Sequence, residues 1–393
     1  CTVTSLADKK ARQIIGRAKR ENPGSILLVT GCFTQLNSDF LKTAVKVDMI
    51  VRNDEKLKIP EMVMARFSCS PTRETKLSPS VLPYHSRAFI KVQDGCEQNC
   101  SYCIVPSVRG GYRSMECEKI IEGINSYVKR GYEEAVIAGI HVGRYGIDFL
   151  GHGNGSEKVC SLASLLRSIT EKTEMRRLRL SSVEINEVDD ELIEIMKQPQ
   201  GRIARHLHIP LQSGSDRILR AMNRNYGASY FMEKALAIKN KIPQVTLTTD
   251  IIVGFPGETD SDFNLTLELM EKLKFSKVHV FKYSRRNGTA AAGIQHQVSE
   301  NTKTMRSIAA RNKGKAIRKE FMGLNIGRVL EVVCEEFKKQ DKEPGIAGGI
   351  SENYIKVYFN MKEEDFAEKR GRIIGVKARE EYMDGLRGFA QIL

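Results

Sequence analysis

The chain has 393 residues, a formal net charge of +14 and 41% hydrophobic residues. Its length exceeds one typical compact core, so two or three domains are expected, and no apolar run approaches the ~20 residues of a membrane helix. Nine unevenly spaced cysteines exclude a disulfide framework and fit a reducing cytoplasm, where clustered thiols serve metal or redox chemistry. The sequence opens on Cys1 rather than a methionine, so the lack of a visible secretory signal says little.

Residues 1–65 read as a fragment of an α/β domain, with a polar helix over Ala7–Arg20 and strands at Ser25–Thr30 and Val47–Arg52. From Pro60 to Ser86 four prolines and little periodicity predict a linker, its main stretch at 66–86. Residues 87–318 then alternate six apolar strands with amphipathic helices. The strands are Ala88–Val92, Ala135–Ile140, Leu178–Val183, Leu207–Leu211, Thr246–Gly254 and Lys277–Tyr283. The helices are Cys117–Lys129, Leu162–Glu171, Asp189–Lys197, Asp216–Met222 with Ser229–Lys239, and Asp260–Leu273. That alternation predicts parallel pairing in a partial (β/α)6 barrel, with chemistry at the C-terminal strand ends. A basic helix over Glu300–Phe321 leads to residues 319–393, whose short strands between Gly-rich turns predict a small β-barrel. Between Lys282 and Lys319 ten basic residues face one acid, Glu300, which suits a phosphate backbone or a solvated helix face.

The strongest chemical signal follows the first strand of the repeat. Cys96, Cys100 and Cys103 lie within eight residues, so one loop can present three thiolates. On a 4Fe–4S cube, three thiolates leave one iron free to chelate the amino and carboxylate groups of S-adenosylmethionine (SAM). Reduction would then release a 5′-deoxyadenosyl radical. The competing reading is structural zinc with Cys117 as fourth ligand, but Cys117 falls where helical periodicity has begun. Other polar or glycine residues stand at predicted strand ends: Gly139 after the second, Glu184 after the third, Gln212 and Ser213 after the fourth, Asp250 and Gly254 on the fifth. A solvated carboxylate would explain Glu184, and a helix N-cap would explain the serines of Gln212-Ser-Gly-Ser215. Cys69, Cys160 and Cys334 have no motif around them.

C-x3-C-x2-C at the end of the first strand of a partial barrel resembles the radical SAM superfamily over about Arg87–Arg318. Cys1-Thr-Val-Thr and Gly31-Cys32-Phe-Thr-Gln, with His206-Leu-His-Ile-Pro-Leu-Gln-Ser-Gly-Ser and Arg109-Gly110, resemble the methylthiotransferase family within it. Gly327-Arg-Val-Leu-Glu-Val and Asn353-Tyr-Ile-Lys-Val-Tyr-Phe resemble a TRAM domain, an RNA-binding module. The resemblance implies SAM contacts at Gly139, Glu184, Gln212, Ser213, Asp250 and Gly254, and a second, auxiliary 4Fe–4S cluster on Cys1 and Cys32. The family's first auxiliary cysteine lies upstream of Cys1. Thr248-Thr-Asp-Ile-Ile-Val resembles the branch acting on N6-threonylcarbamoyladenosine beside the tRNA anticodon. Met115 departs from an Arg common in that branch, and Ala290 from its usual Gly-Thr-Pro. The resemblance implies C2 methylthiolation of that base, with tRNA, SAM and an electron donor as partners. The alternatives are isopentenyladenosine in tRNA, a ribosomal protein side chain, or an RNA-binding iron–sulfur protein without turnover.

Overall fold

The computed structural model describes residues 2–44, 47–67, 85–151, 160–198, 202–340 and 344–391. They divide into two compact units, the first made of residues 1–78, 95–111 and 284–295, the second of the remainder.

In the first unit α1 (Ser5–Glu21) starts where Thr4 Oγ1 accepts the Ala7 amide, an N-cap. Then come β1 (Leu28–Thr30), α2 (Cys32–Leu36), α3 (Ser38–Ala44), β2 (Met49–Val51), α4 (Ile59–Phe67) and α5 (Val105–Arg109). Strands β1 and β2 pair in parallel, Leu28 opposite Met49. Ile15, Val29, Phe33 and Leu41 form the core. Here α4 corrects the linker expectation: Pro60 sits in the first turn, where a missing N–H breaks no helical bond. Most of the expected linker, 68–84, lies outside the described residues, as does Cys1.

In the second unit the parallel strands are β3 (Ala88–Asp94), β5 (Glu134–Gly139), β6 (Arg177–Leu180), β7 (His206–His208), β8 (Thr246–Val253) and β9 (Lys277–Lys282), with β4 (Arg113–Ser114) antiparallel on β3. Parallel bridges from Leu178 to Ile203 and from Ser182 to His208 join β6 to the β7–β8–β9 sheet, so the six strands follow one another in chain order. Helices α6 (Cys117–Lys129), α7 (Leu162–Lys172), α8 (Asp190–Lys197), α9 (Asp216–Ala221), α10 (Ala228–Lys241) and α11 (Asp260–Leu273) fill the crossovers. One apolar cluster runs through strands and helices, including Ile120, Ile137, Leu165, Leu207 and Phe275. This is the expected open six-stranded α/β barrel.

Helix α12 (Glu300–Gly323) packs along the edge strand β9, where Gly314 lies against Val278 and Arg311 donates to the Val280 carbonyl. Five strands, β10 (Val329–Lys338), β11 (Gly345–Ser351), β12 (Lys356–Met361), β13 (Ile373–Tyr382) and β14 (Gly385–Gln391), close the small barrel in the order β10-β11-β12-β14-β13. Strand β11 and helix α13 (Glu363–Lys369) were not foreseen. In β11 Gly349 lies so close to Val333 that a Cβ would fall 1.6 Å from its carbonyl oxygen, and α13 buries no residue. Among the described residues no helix is long and apolar enough to cross a membrane.

The small barrel meets the N-terminal ends of the parallel strands through buried charge. Arg177 and Arg179 on β6 pair with Glu134 on β5 at 2.5 and 2.9 Å, and all three are at most 2% exposed. Their guanidiniums also donate to the Glu331, Ser351 and Glu352 carbonyls of the small barrel. Burial alone would raise the Glu134 carboxyl, but the charges of Arg179 and Arg177 overcome it and hold the group at about 2.

Candidate functional site: the cysteine loop and the C-terminal strand ends

In the first unit the loop that carries Cys96, Cys100 and Cys103 is fixed by its backbone. Cys96 N–H donates to Gly110 O at 3.0 Å, Cys103 N–H to Cys100 O at 3.0 Å, and Ala291 N–H to Ser101 O at 2.7 Å. Gly95 has φ +76°, and a Cβ there would lie 1.9 Å from Gly111 O, so this turn requires glycine. All three cysteines are half-buried and outside any disulfide, and Gln98 N–H donates to Cys96 Sγ at 3.4 Å. Among the described residues no three cysteines bring their sulfurs within 4.8 Å of one another. Thiolates sharing one zinc would lie about 3.8 Å apart for bonds of ~2.3 Å, a spacing that these three sulfurs do not share. Cys117 instead begins α6 and packs on the apolar core of the second unit, where burial pushes its thiol up.

Cys32 opens α2 after Gly31, whose φ of 101° gives the chain its turn. Arg109, which ends α5, donates Nε–H to Cys32 Sγ at 2.9 Å. The unit therefore places the Cys32 sulfur beside the segment that follows the three-cysteine loop.

In the second unit Gly139 ends β5 opposite Gln93 of β3, and a Cβ would lie 2.9 Å from Val142 Cγ2 and 3.0 Å from Gln93 O. Glu184 forms an ion pair with Arg224, whose Nε–H reaches Tyr226 OH; that hydroxyl donates to Pro210 O at 2.8 Å. Burial raises the Glu184 carboxyl in spite of Arg224. Gln212 adopts φ +66°, the left-handed region a glutamine rarely occupies, pinned by its N–H on Asp250 O and by Ile252 N–H on its own carbonyl. Ser213 is fully buried and its Oγ accepts the Ser215 amide, so it holds the turn. Asp250 lies inside β8 rather than at its end, 3.2 Å from His208 Nε2. Gly254 has φ +70° and leaves room for Lys303, whose Cγ would lie 2.2 Å from a Cβ there.

Motif reading passed over a second polar group at the same end. His141 N–H donates to Gln93 Oε1, while Glu187 receives both His141 Nε2 at 2.7 Å and Arg144 Nε at 2.8 Å. The only signal in the sequence was position, since each follows or closes a predicted strand. The basic run is also less open than its composition suggests. Arg306 is buried on Glu258 and Asp260, Lys303 pairs with Glu300, and Lys313 with Glu271. Along α12 Lys315 and Lys319 remain exposed.

A three-thiol loop following the first strand of an open six-stranded barrel decides the comparison with known proteins. Residues 90–270 match the model of the radical SAM superfamily, and residues 1–52 that of uncharacterized protein family UPF0004. The threonylcarbamoyladenosine tRNA methylthiotransferase MtaB of Bacillus subtilis is 35% identical over 389 residues, 96% of this chain and 83% of that protein. Its namesake from Thermotoga maritima is 36% identical, covering 91% and 81%. The chain belongs to the radical SAM methylthiotransferase family. A tRNA-2-methylthio-N(6)-dimethylallyladenosine synthase of Acetivibrio thermocellus is 33% identical, covering 86% and 72%. The radical S-adenosylmethionine methyltransferase TsrM of Kitasatospora setae shares the fold, with a TM-score of 0.53 at 13% identity over 70% of this chain and 58% of that one. The chain is thus a radical SAM enzyme, and its iron–sulfur and SAM chemistry follows from the family.

Proposed function

We propose that the enzyme converts N6-threonylcarbamoyladenosine next to the anticodon of tRNA into its 2-methylthio derivative. The observation that carries this reading is the 35% identity to a protein of that name over 96% of the chain. Cys96, Cys100 and Cys103 would hold the radical 4Fe–4S cluster: three half-buried cysteines outside any disulfide, on one backbone-pinned loop, fit a group that needs three thiolates. When bound, the cluster and SAM supply reductive formation of a carbon radical able to activate a C–H bond. Cys32, with Cys1 and, as the family resemblance implies, a cysteine upstream, would hold the auxiliary cluster, with Arg109 donating to the Cys32 sulfur.

SAM would lie along the C-terminal strand ends. Gly139 offers backbone there without a Cβ, Gln212 presents its strained peptide, and Glu184 is oriented by Arg224. Ser213 would contribute through its backbone, since its hydroxyl is engaged in the turn. Gly254 would keep the end of β8 narrow enough for the cofactor's adenine. The small barrel would act as a TRAM-like RNA-binding domain, with Lys315 and Lys319 of α12 adding attraction for the phosphate backbone. Cytoplasmic tRNA and a cellular electron donor complete the partners.

The test is nucleoside mass spectrometry of tRNA from a strain lacking this gene. The 2-methylthio form of threonylcarbamoyladenosine should vanish and its precursor accumulate. Loss of the 2-methylthio form of dimethylallyladenosine instead would assign the enzyme to the other branch.

A further inference from the structure

The inner face of β7, β8 and β9 carries a row of ionisable side chains that the fold itself does not require. In the parallel register His208 stands opposite Thr248, and Asp250 opposite His279. His206, His208, Thr248, Asp250, Lys277 and His279 therefore share one face, because side chains alternate along a strand. Thr248 Oγ1 lies 2.9 Å from both His206 Nε2 and His208 Nδ1. Burial and Arg179 hold His206 well below its usual pKa and hence neutral. If its Nε2–H donates to Thr248, the threonine O–H donates to His208 Nδ1, and His208 Nε2–H points at Asp250. That chain of donors uses every polar contact seen and agrees with His206 Nδ1 having no partner among the described residues.

What the relay leaves over faces the barrel interior. The His208 and Asp250 side chains are 18% and 27% exposed, and one Asp250 oxygen is engaged by His208. His279 is half-buried with its ring 5.8 Å from that of His208, and burial and Lys277 lower its pKa. Lys277 is half-buried and has no ion-pair partner among the described residues; its ammonium sits 5.6 Å from the centre of the Tyr354 ring. Burial and the neighbouring Arg318 lower its pKa, the mark of a cation that is poorly compensated. A partly desolvated ammonium beside an imidazole is costly in a folding core but ordinary in a site whose ligand completes it. Towards the C-terminal end of β8 the same face continues through Ile252 to Gly254, so Asp250 and His279 lie two positions of that face below the strand end, and Lys277, at the start of β9, one further down.

We propose that Lys277, His279 and Asp250 form the subsite for the substituent on N6 of the substrate adenine, and that they select one bearing a carboxylate and a hydroxyl. This rests on the substrate reading given above. A threonylcarbamoyl group joins threonine through its amine as a urea, leaving an α-carboxylate and a β-hydroxyl. Lys277, with His279 as second donor, receives the carboxylate, and Asp250 accepts from the hydroxyl. His208 and Thr248 hold Asp250 in place and are positioning residues. A dimethylallyl group offers neither function, and packing it here would strip water from an ammonium and a carboxylate with nothing in return.

The test uses the full-length, cluster-reconstituted enzyme and two synthetic anticodon stem-loops, one bearing threonylcarbamoyladenosine and one its side-chain carboxamide. Wild type should lose about 30-fold in kcat/KM on the carboxamide, the size expected for one charge-assisted contact. Lys277→Met should lose a similar factor on the acid, mainly through KM, and should no longer distinguish acid from amide. Lys277→Arg should recover most of the preference, which a merely structural lysine would not require. Asp250→Asn gives a second reading with the side-chain size kept, and should weaken both loops alike. The subsite is overturned if Lys277→Met still prefers the acid by the wild-type factor, or if the isolated enzyme carries a zinc ion that is lost in both His208→Ala and His279→Ala. Wild-type enzyme that methylthiolates a dimethylallyladenosine loop but not the threonylcarbamoyl one would instead refute the substrate reading, and the subsite with it.

Discussion

At the N-terminal ends of β5 and β6, Glu134, Arg177 and Arg179 are sealed from water and bonded both to one another and to carbonyls of the small barrel. At the other ends of the same sheet, and along its inner face, charge is handled differently. Glu184 stays protonated more readily than a free carboxyl, Gln212 is held in a left-handed conformation, and Lys277 has no described ion-pair partner. The first arrangement ties two barrels together by setting two buried guanidiniums on one carboxylate and on backbone carbonyls. The second leaves polar groups strained, raised or uncompensated, the pattern of a surface that awaits a ligand.

The contrast breaks most easily at Glu134. Glu134→Ala leaves two buried guanidiniums without their carboxylate and should cost about 3–5 kcal/mol of stability, measured by urea unfolding. A loss below about 1 kcal/mol would mean that the lower end is not held by this network. The same group gives an acid test. Its folded value of about 2 lies below the ordinary 4.5, so its contribution is fully present above that ordinary value and disappears as pH falls towards about 2. The stability difference between wild type and Glu134→Gln should therefore be constant at neutral pH and shrink below about pH 5. A difference independent of pH down to 3 would contradict the pairing.

At the upper end the expected change is smaller and of opposite sign. Gln212→Gly removes the cost of a left-handed glutamine and should raise stability by up to about 1 kcal/mol, while weakening SAM binding measured by calorimetry on the reconstituted enzyme. Unchanged SAM affinity would show that the strained peptide serves the turn alone.

The two regions also differ in how far the sequence disclosed them. Helices over Cys117–Lys129 and Asp260–Leu273 have the bounds their periodicity predicts, because each buries one clean apolar stripe. All six parallel strands appear in order for the same reason. Strand β11, Gly-Ile-Ala-Gly-Gly-Ile-Ser, carries too many glycines for a strand pattern, and the need for them arises only from the close approach of β10. The Glu134–Arg177–Arg179 group was invisible because its members lie 43 and 45 residues apart and sit among apolar strand residues. The cysteine loop was legible because its chemistry is local, three thiols in eight residues. The inner-face row was not, since alternation places His208, Asp250 and His279 on faces but cannot say that three strands align them. Composition misjudged the basic helix, where Lys303 and Arg306 are buried in ion pairs instead of facing solvent.

The central claim is that Cys96, Cys100 and Cys103 carry radical chemistry. The most direct measurement is 5′-deoxyadenosine released from SAM by anaerobic, reconstituted and chemically reduced enzyme, compared with a variant in which all three cysteines are alanine. Wild type should release it steadily and the variant should match a sample without enzyme, with iron content reduced by one cluster's worth. Release of 5′-deoxyadenosine at the wild-type rate from the variant would contradict the account.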